Sequence, residues 1–114
     1  MIIVIKDFAK NALSEKAGTM LREKILQAYT TNQSENIVLD FNEINLFATM
    51  FFNASIGYLI QENKDEILEK IKVENISPLG EKTLSHSIAN AKFINEKHDR
   101  GMIEKIIINT IGEA

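Results

Sequence analysis

The chain has 114 residues, of which 45% are hydrophobic and 25% charged, so it can bury one ordinary core and is too short for two typical domains. Its 13 Lys and Arg residues against 16 Asp and Glu residues give a formal net charge of -3, which disfavours nucleic acids and anionic membranes as partners. The absence of Cys excludes disulfides, thiolate catalysis and cysteine-ligated metal centres.

The first half of the chain predicts a strand, a helix and a second strand. The apolar residues 2–5 are too few for a signal peptide and are typical of a short strand. No segment reaches the roughly 20 apolar residues that span a bilayer, so we expect a cytoplasmic, globular protein. Ser14 is placed to cap a helix over residues 14–31, where apolar residues recur at helical spacing. Residues 37–41 then predict a central strand that is buried on both faces.

The second half of the chain predicts two further helices and a third strand. Residues 47–60 carry apolar side chains on one helical stripe, with Thr49 as the N-cap, and the charged residues 62–66 extend or close this helix. Residues 71–76 alternate between apolar and polar side chains, which is typical of a strand with one wetter face. Pro78 then predicts the start of another helix.

The C-terminal residues 102–111 are rich in isoleucine and fit a helical face, although three consecutive isoleucines within them suit a strand equally well. We predict a helix here, and the apolar content also favours a homo-oligomer contact. No repeat, low-complexity tract or linker divides the chain. The alternation of strands and helices therefore predicts a single α/β domain over residues 1–114, with residues 101–114 as a C-terminal extension.

Candidate catalytic and metal-binding residues are scarce. The two histidines, His86 and His98, are twelve residues apart and do not form the closely spaced pair that helical metal sites use. The five glycines stand far apart, so no phosphate-binding loop is visible. We therefore predict no metal, no cofactor, no catalytic residue and no enzymatic activity.

Asp40 is the strongest polar candidate, because it ends the predicted central strand, where open α/β sheets often build sites. Glu43 and Asn45 follow in the next turn, and a carboxylate pair can serve acid–base chemistry or ligand binding. The alternative is structural, since an aspartate in such a position accepts backbone N–H bonds and caps the turn that follows.

Three of the six phenylalanines lie between Phe47 and Phe52, together with Met50. One helix face cannot bury all of these side chains. They form either a seam of the core or a patch that binds a partner, since contiguous exposed apolar surface usually marks an interface. The predicted partner contacts are four residues at the start of this helix: Thr49, Met50, Phe51 and Asn53.

The same region resembles a known family. Residues 37–44 read IVLDFNEI and residues 49–59 read TMFFNASIGYL, and this pattern is similar to the STAS-like domains of unknown function of bacteria and phages, distant relatives of the anti-sigma factor antagonists. The resemblance covers roughly residues 10–95. It rests on an apolar strand that ends in Asp-Phe, a turn, a helix start and a later glycine, and the matching positions are Asp40, Phe41, Ile44, Phe51 and Gly57.

The resemblance implies an α/β fold in which a small mixed sheet packs against helices on one main face. It also implies a regulatory role with an ATPase of the kinase type as partner, because in anti-sigma factor antagonists a partner kinase phosphorylates a serine at the start of this helix and abolishes binding. Met50 stands at the position of that serine, so this chain departs from the switch pattern. Thr49, one residue earlier, is either a substitute phosphoacceptor or a cap, and Met50 favours a constitutive apolar contact.

We therefore expect a non-enzymatic regulatory module that binds a protein partner through the start of the second helix. The alternative from a different class is a small-ligand-binding protein or enzyme that uses Asp40 and Glu43 at the strand end. A third expectation is homo-oligomerisation through residues 102–111.

Overall fold

The computed structural model describes residues 1–100, with residues 96–100 described by their helical backbone alone. They form three strands and five helices, and one turn of 3₁₀ helix, Ile5–Asp7, follows the first strand. In chain order the elements are β1 (Ile2–Val4), α1 (Glu15–Thr31), β2 (Ile37–Asp40), α2 (Thr49–Ala54), α3 (Ile56–Gln61), α4 (Asp65–Leu68), β3 (Ile71–Glu74) and α5 (Pro78–Arg100).

The three strands form one parallel sheet in the order β1-β2-β3, with β2 in the centre. The register places Ile3 beside Leu39 and Leu39 beside Val73. Each strand is joined to the next through helices, and parallel neighbours need such crossovers. The predicted α/β class is confirmed. The predicted mixed sheet is wrong for the described part of the chain, where both strand pairs are parallel.

Within residues 1–100, the helices cover one face of the sheet and leave the other open. Ile3, Ile37 and Leu39 lie on the covered face and are buried. On the opposite face Ile2 is 63% exposed, and Val38 beside it is only half-buried. The prediction that the central strand is buried on both faces is therefore wrong for the described part of the chain, because an apolar run does not reveal on how many sides other elements pack.

Helix α1 begins as its sequence predicts. The Ser14 hydroxyl accepts a hydrogen bond from the backbone N–H of Ala17 at 3.0 Å, which satisfies one of the donors that a helix start leaves unpaired. Leu21, Ile25 and Ala28 are buried. The apolar stripe read from the sequence is thus the face of α1 that packs into the core.

The predicted helix over residues 47–60 is instead two short helices, α2 and α3, divided at Ser55. Ser55 has φ -107° and ψ -91°, outside the helical region, and its buried hydroxyl donates to the carbonyl of Phe51 at 2.9 Å. A serine hydroxyl bonded to the carbonyl four residues back is associated with bent helices. Thr49 is not the N-cap either: Ala48 holds that position, and its side chain makes no capping hydrogen bond.

The last two described elements agree with their predictions. Strand β3 alternates two exposed charged residues with half-buried Ile71 and Val73, and Pro78 is the first residue of α5. Across residues 1–100, no helix combines the length and the apolar character needed to cross a membrane. The helix and the oligomer contact predicted at residues 102–111 lie outside the described part of the chain.

Helices α1 and α2 touch at Gly18. A Cβ atom at this position would lie 2.3 Å from the carbonyl oxygen of Phe51 and 2.9 Å from the Cβ of Ala54, closer than real Cβ atoms approach other atoms. Glycine therefore allows the two backbones to meet here. The contact fixes α2, and with it the residues of its first turn, against α1.

We expect Gly18→Ala to lower the free energy of unfolding by about 1–3 kcal/mol, because the added methyl forces α1 away from α2. Gly57→Ala is the matched control: it gains the same helix propensity, and its Cβ would meet the Phe52 carbonyl oxygen at the milder distance of 3.2 Å. Urea denaturation compares the two variants. Equal effects on stability would contradict the close helix contact at Gly18.

Candidate functional site

The start of α2 is anchored by four phenylalanine rings. Between ring centroids, Phe41 lies 6.1 Å from Phe47, 6.3 Å from Phe51 and 5.8 Å from Phe52. Phe51 and Phe52 meet edge to face at 5.1 Å, an arrangement that aromatic pairs prefer. We call these four residues the aromatic cluster. It connects the end of β2 to the loop before α2 and to α2 itself.

The aromatic cluster corrects one predicted contact residue. Phe51 is 0% exposed, as is Phe52, so both rings belong to a seam of the core. The prediction that Phe51 contacts a partner is therefore wrong for the folded domain. Two consecutive rings are buried because α2 packs against α1 and also against α5, so that more than one side of this short helix is covered.

The other predicted contact residues lie at the surface. Thr49 and Asn53 are exposed, and Met50 is 53% exposed. Asn53 is also tied to α5, because its side-chain oxygen accepts a hydrogen bond from the buried hydroxyl of Ser87. Met50 is the large apolar side chain that α2 presents to solvent.

Two leucines from neighbouring loops come close to the start of α2. Leu46 is 51% exposed and directly precedes Phe47. Leu13 is exposed and follows Ala12, whose backbone pairs with the chain on either side of Phe47: the Ala12 N–H donates to the Leu46 carbonyl at 3.0 Å, and its carbonyl accepts from Ala48 at 2.9 Å. This bridge brings the two leucines to the same end of the domain as Met50.

A third leucine reaches this end from α5. Leu79 is exposed and precedes Gly80, where an added Cβ would lie 2.5 Å from the Phe47 ring. Four exposed apolar residues belong to the segments that meet around Phe47, and we call them the α2 patch: Leu13, Leu46, Met50 and Leu79. The sequence pattern does not indicate the leucines, because single apolar residues in turns and at a helix start show no periodicity.

Arg22 of α1 supports the junction between α2 and α3. Its guanidinium donates to the carbonyl of Ala54 at 3.3 Å and lies 3.9 Å from the ring centroid of Tyr58. The bond satisfies a carbonyl at the end of α2, and the stacked ring adds a cation–π contact. Nothing in the sequence pattern points to this arrangement, because its three residues come from three different elements.

Asp40 joins the ends of two strands. One of its side-chain oxygens accepts hydrogen bonds from the backbone N–H of Asn42 at 3.0 Å and from the side-chain amide of Asn75 at 2.9 Å. The bond from Asn75, and after it the bond from Asn42, lowers the pKa of Asp40 below its ordinary value. This is the turn-capping geometry that the sequence predicts, with the Asn75 contact added by the fold.

The other polar residues of this turn have separate surroundings. Glu43 adopts a φ of 67°, and its carboxylate lies 3.6 Å from the ammonium of Lys6 in an exposed ion pair, a kind of contact that adds little stability. Asn45 is exposed. Each of the two carboxylates, Asp40 and Glu43, thus has its own partner.

Metal ligands do not converge in the part of the chain that the structure describes: no three His, Asp or Glu side chains there are placed to hold an ion. His86 is exposed on α5, and the side chain of His98 lies outside the described residues. What the domain presents around α2 is an apolar surface with Thr49 and Asn53 as polar neighbours.

Comparison with known protein families identifies a match to the model of a STAS-like domain of unknown function over residues 17–81, which is more than half of the chain. The match begins within α1 and ends in the first turn of α5, so it includes Asp40, the aromatic cluster and all of α2. No curated protein and no solved structure matches the chain.

Substitutions of the buried Phe51 and of its exposed neighbour Met50 are expected to differ sharply in their effect on the stability of the fold. Phe51→Ala should lower the free energy of unfolding by about 3–5 kcal/mol, because it leaves a cavity within the aromatic cluster. Met50→Ala should change it by at most about 0.5 kcal/mol, since its side chain is largely in solvent. Chemical denaturation followed by circular dichroism measures both, and a large loss for Met50→Ala would contradict its surface position.

Asp40 is expected to stabilise the fold more at neutral pH than in acid. A carboxylate whose pKa is lower in the folded state adds stability above its ordinary pKa of 3.8, and this stability is lost as the pH falls through the folded value. The difference in unfolding free energy between the unsubstituted chain and Asp40→Asn should therefore shrink as the pH is lowered from neutral to below 3.8.

A second variant tests the cause of the lowered pKa. Asn75→Gly keeps the positive φ of 58° accessible and removes the amide that donates to Asp40. An NMR titration of this variant should show a higher pKa for Asp40 than in the unsubstituted chain. The same pKa in both proteins would refute the role given to Asn75.

Proposed function

The chain belongs to the STAS-like domain family of unknown function, and on that basis we propose that it is a non-enzymatic regulatory module that binds a protein partner through the α2 patch. The observation that carries this proposal is the exposure of Met50 and Leu46, which are both about half exposed beside the aromatic cluster. Clustered apolar side chains that a folded domain leaves at its surface usually mark a protein interface.

The chemistry of the α2 patch suits such an interface. Methionine is unbranched and adapts to an irregular partner surface. Thr49 and Asn53, exposed on the same helix, supply hydroxyl and amide groups for hydrogen bonds at a polar rim. The aromatic cluster beneath holds the backbone of α2 in place, so that binding orders few additional groups.

The partner that we propose is an ATPase of the kinase type, the class implied by the resemblance to anti-sigma factor antagonists. Because Met50 replaces the switch serine of that family, its contact is constitutive. The residue open to phosphorylation is then Thr49, the exposed first residue of α2. A phosphate there would bring a charge of about -1.5 to -2 next to an apolar contact and weaken binding.

Ligand binding or catalysis at Asp40 and Glu43 is the alternative function. Their contacts favour a structural role, since Asp40 accepts from Asn42 and Asn75, and Glu43 pairs with Lys6. An enzymatic or ligand-binding activity that Asp40→Asn abolishes, with the stability retained, would support the alternative.

Site-specific photocrosslinking in the intact chain tests the proposed interface. A photoreactive amino acid in place of Met50 is expected to capture a protein partner in the cells from which the gene comes. The same group in place of Ile94, an exposed isoleucine of α5, is the matched control and should not capture that protein. The captured protein is then purified for binding measurements by calorimetry.

Met50→Asp is expected to weaken the measured affinity at least tenfold, about 1.4 kcal/mol, because it puts a charge into an apolar contact. Ile94→Asp should leave the affinity unchanged. The unfolding free energies of both variants are determined alongside, so that a loss of binding is separated from a loss of fold. Normal binding by a folded Met50→Asp variant would exclude the α2 patch as the interface.

A further inference from the structure

An open apolar groove lies between β3 and α5. Its volume is about 520 Å³, within the range of clefts that hold ligands or several side chains. Charged residues at its rim are Asp65, Glu69 and Lys92. We call it the β3 groove, and its apolar lining includes Ile60, Leu68, Ile71, Val73, Leu84 and Ile88.

The β3 groove runs beside an unpaired strand edge. Strand β3 pairs with β2 on one side, and within residues 1–100 no strand lies on its other side. Ile71 and Val73 are half-buried, whereas their register partners on β2, Ile37 and Leu39, are fully buried. The exposed charges of β3 protect its edge, but its partly exposed apolar side chains, Ile71 and Val73, are of the kind that proteins generally cover with another segment.

We propose that the C-terminal segment of the same chain, residues 102–111, fills the β3 groove. The segment combines β-branched apolar side chains, which suit packing against a strand edge, with few charges. Its isoleucines are Ile103, Ile106, Ile107, Ile108 and Ile111. The proposal is independent of the function proposed above, because no residue of the α2 patch lines the groove.

Helix α5 is held beside the groove at Asn95. The side-chain amide of Asn95 donates to the carbonyl of Ile60 at 3.3 Å and to the side-chain oxygen of Asn63 at 2.9 Å. These bonds fix α5 against the end of α3 and the loop that follows it. From Lys92 at the groove rim to Arg100, its last residue, α5 extends about 12 Å along its axis. An extended chain over residues 101–114 would span roughly 45 Å. The segment is therefore long enough to return and lie along β3.

Attachment to α5 favours this segment over a separate molecule. A short tether raises the effective concentration of the segment at the groove to about the millimolar range, which a free partner rarely reaches. The homo-oligomer expected from the sequence would place the same segment in the groove of a second copy. The two arrangements predict different products in a crosslinking experiment.

Engineered cysteines test the contact directly, because the chain has none of its own. In the full chain, Lys92→Cys places one thiol at the groove rim and Ile107→Cys places the other within the segment. The matched control combines Asn90→Cys with Ile107→Cys. Asn90 is exposed on the same helix, nearly as far from residue 107 along the chain, and does not line the groove.

Mild oxidation is expected to form an intramolecular disulfide at least tenfold faster in the Lys92→Cys pair than in the Asn90→Cys pair. Equal rates in the two pairs would overturn the proposal, because the segment would then show no preference for the groove. Covalent dimers as the main product would also overturn it, since the groove would then hold the segment of a second copy.

Methyl NMR tests the same contact in the unsubstituted chain, so that no substitution can alter the outcome. Nuclear Overhauser effects are expected between isoleucine methyls of residues 102–111 and those of Ile71 or Val73, and they should persist when labelled chains are diluted with unlabelled ones. Their absence, or their loss on dilution with unlabelled chains, would overturn the proposal.

Discussion

The packing of Phe41 against three phenylalanines of the α2 region is the contact on which the rest of the domain depends. Phe41 directly follows the central strand, so its ring links the covered face of the sheet to the helices. Because Phe51 and Phe52 turn inward to meet it, the residue before them, Met50, is left at the surface. The interface that we propose is thus a consequence of how the core is packed.

Polar residues near the strand ends serve the architecture. Asp40 ends β2, Asn75 follows β3, and the hydrogen bond between them ties the two strands together next to the last paired residues of the sheet. This hydrogen bond accounts for the Asp40 carboxylate at the end of the central strand, whereas the nearby Glu43 pairs separately with Lys6. The two surfaces for which contacts are proposed, the α2 patch and the β3 groove, are apolar and involve different residues.

Features that depend on one element could be read from the sequence. Ser14 caps α1 because the cap needs a hydroxyl and a backbone N–H only three residues away, and Pro78 opens α5 because its fixed φ suits a first helical turn. The break at Ser55 and the Arg22 contact could not be read. Both depend on which elements meet, and Arg22 reaches Ala54 across 32 positions of the chain.

The sequence by itself determined the alternation of strands and helices, the STAS-like family and the concentration of apolar residues between Phe47 and Phe52, since all three follow from local spacing and residue type. Only the tertiary structure decided which of those residues meet solvent. Met50 and Phe51 are adjacent and apolar, yet the first is 53% exposed and the second 0%. The reason is that α2 packs against both α1 and α5, and burial is set by those neighbours rather than by position along the chain.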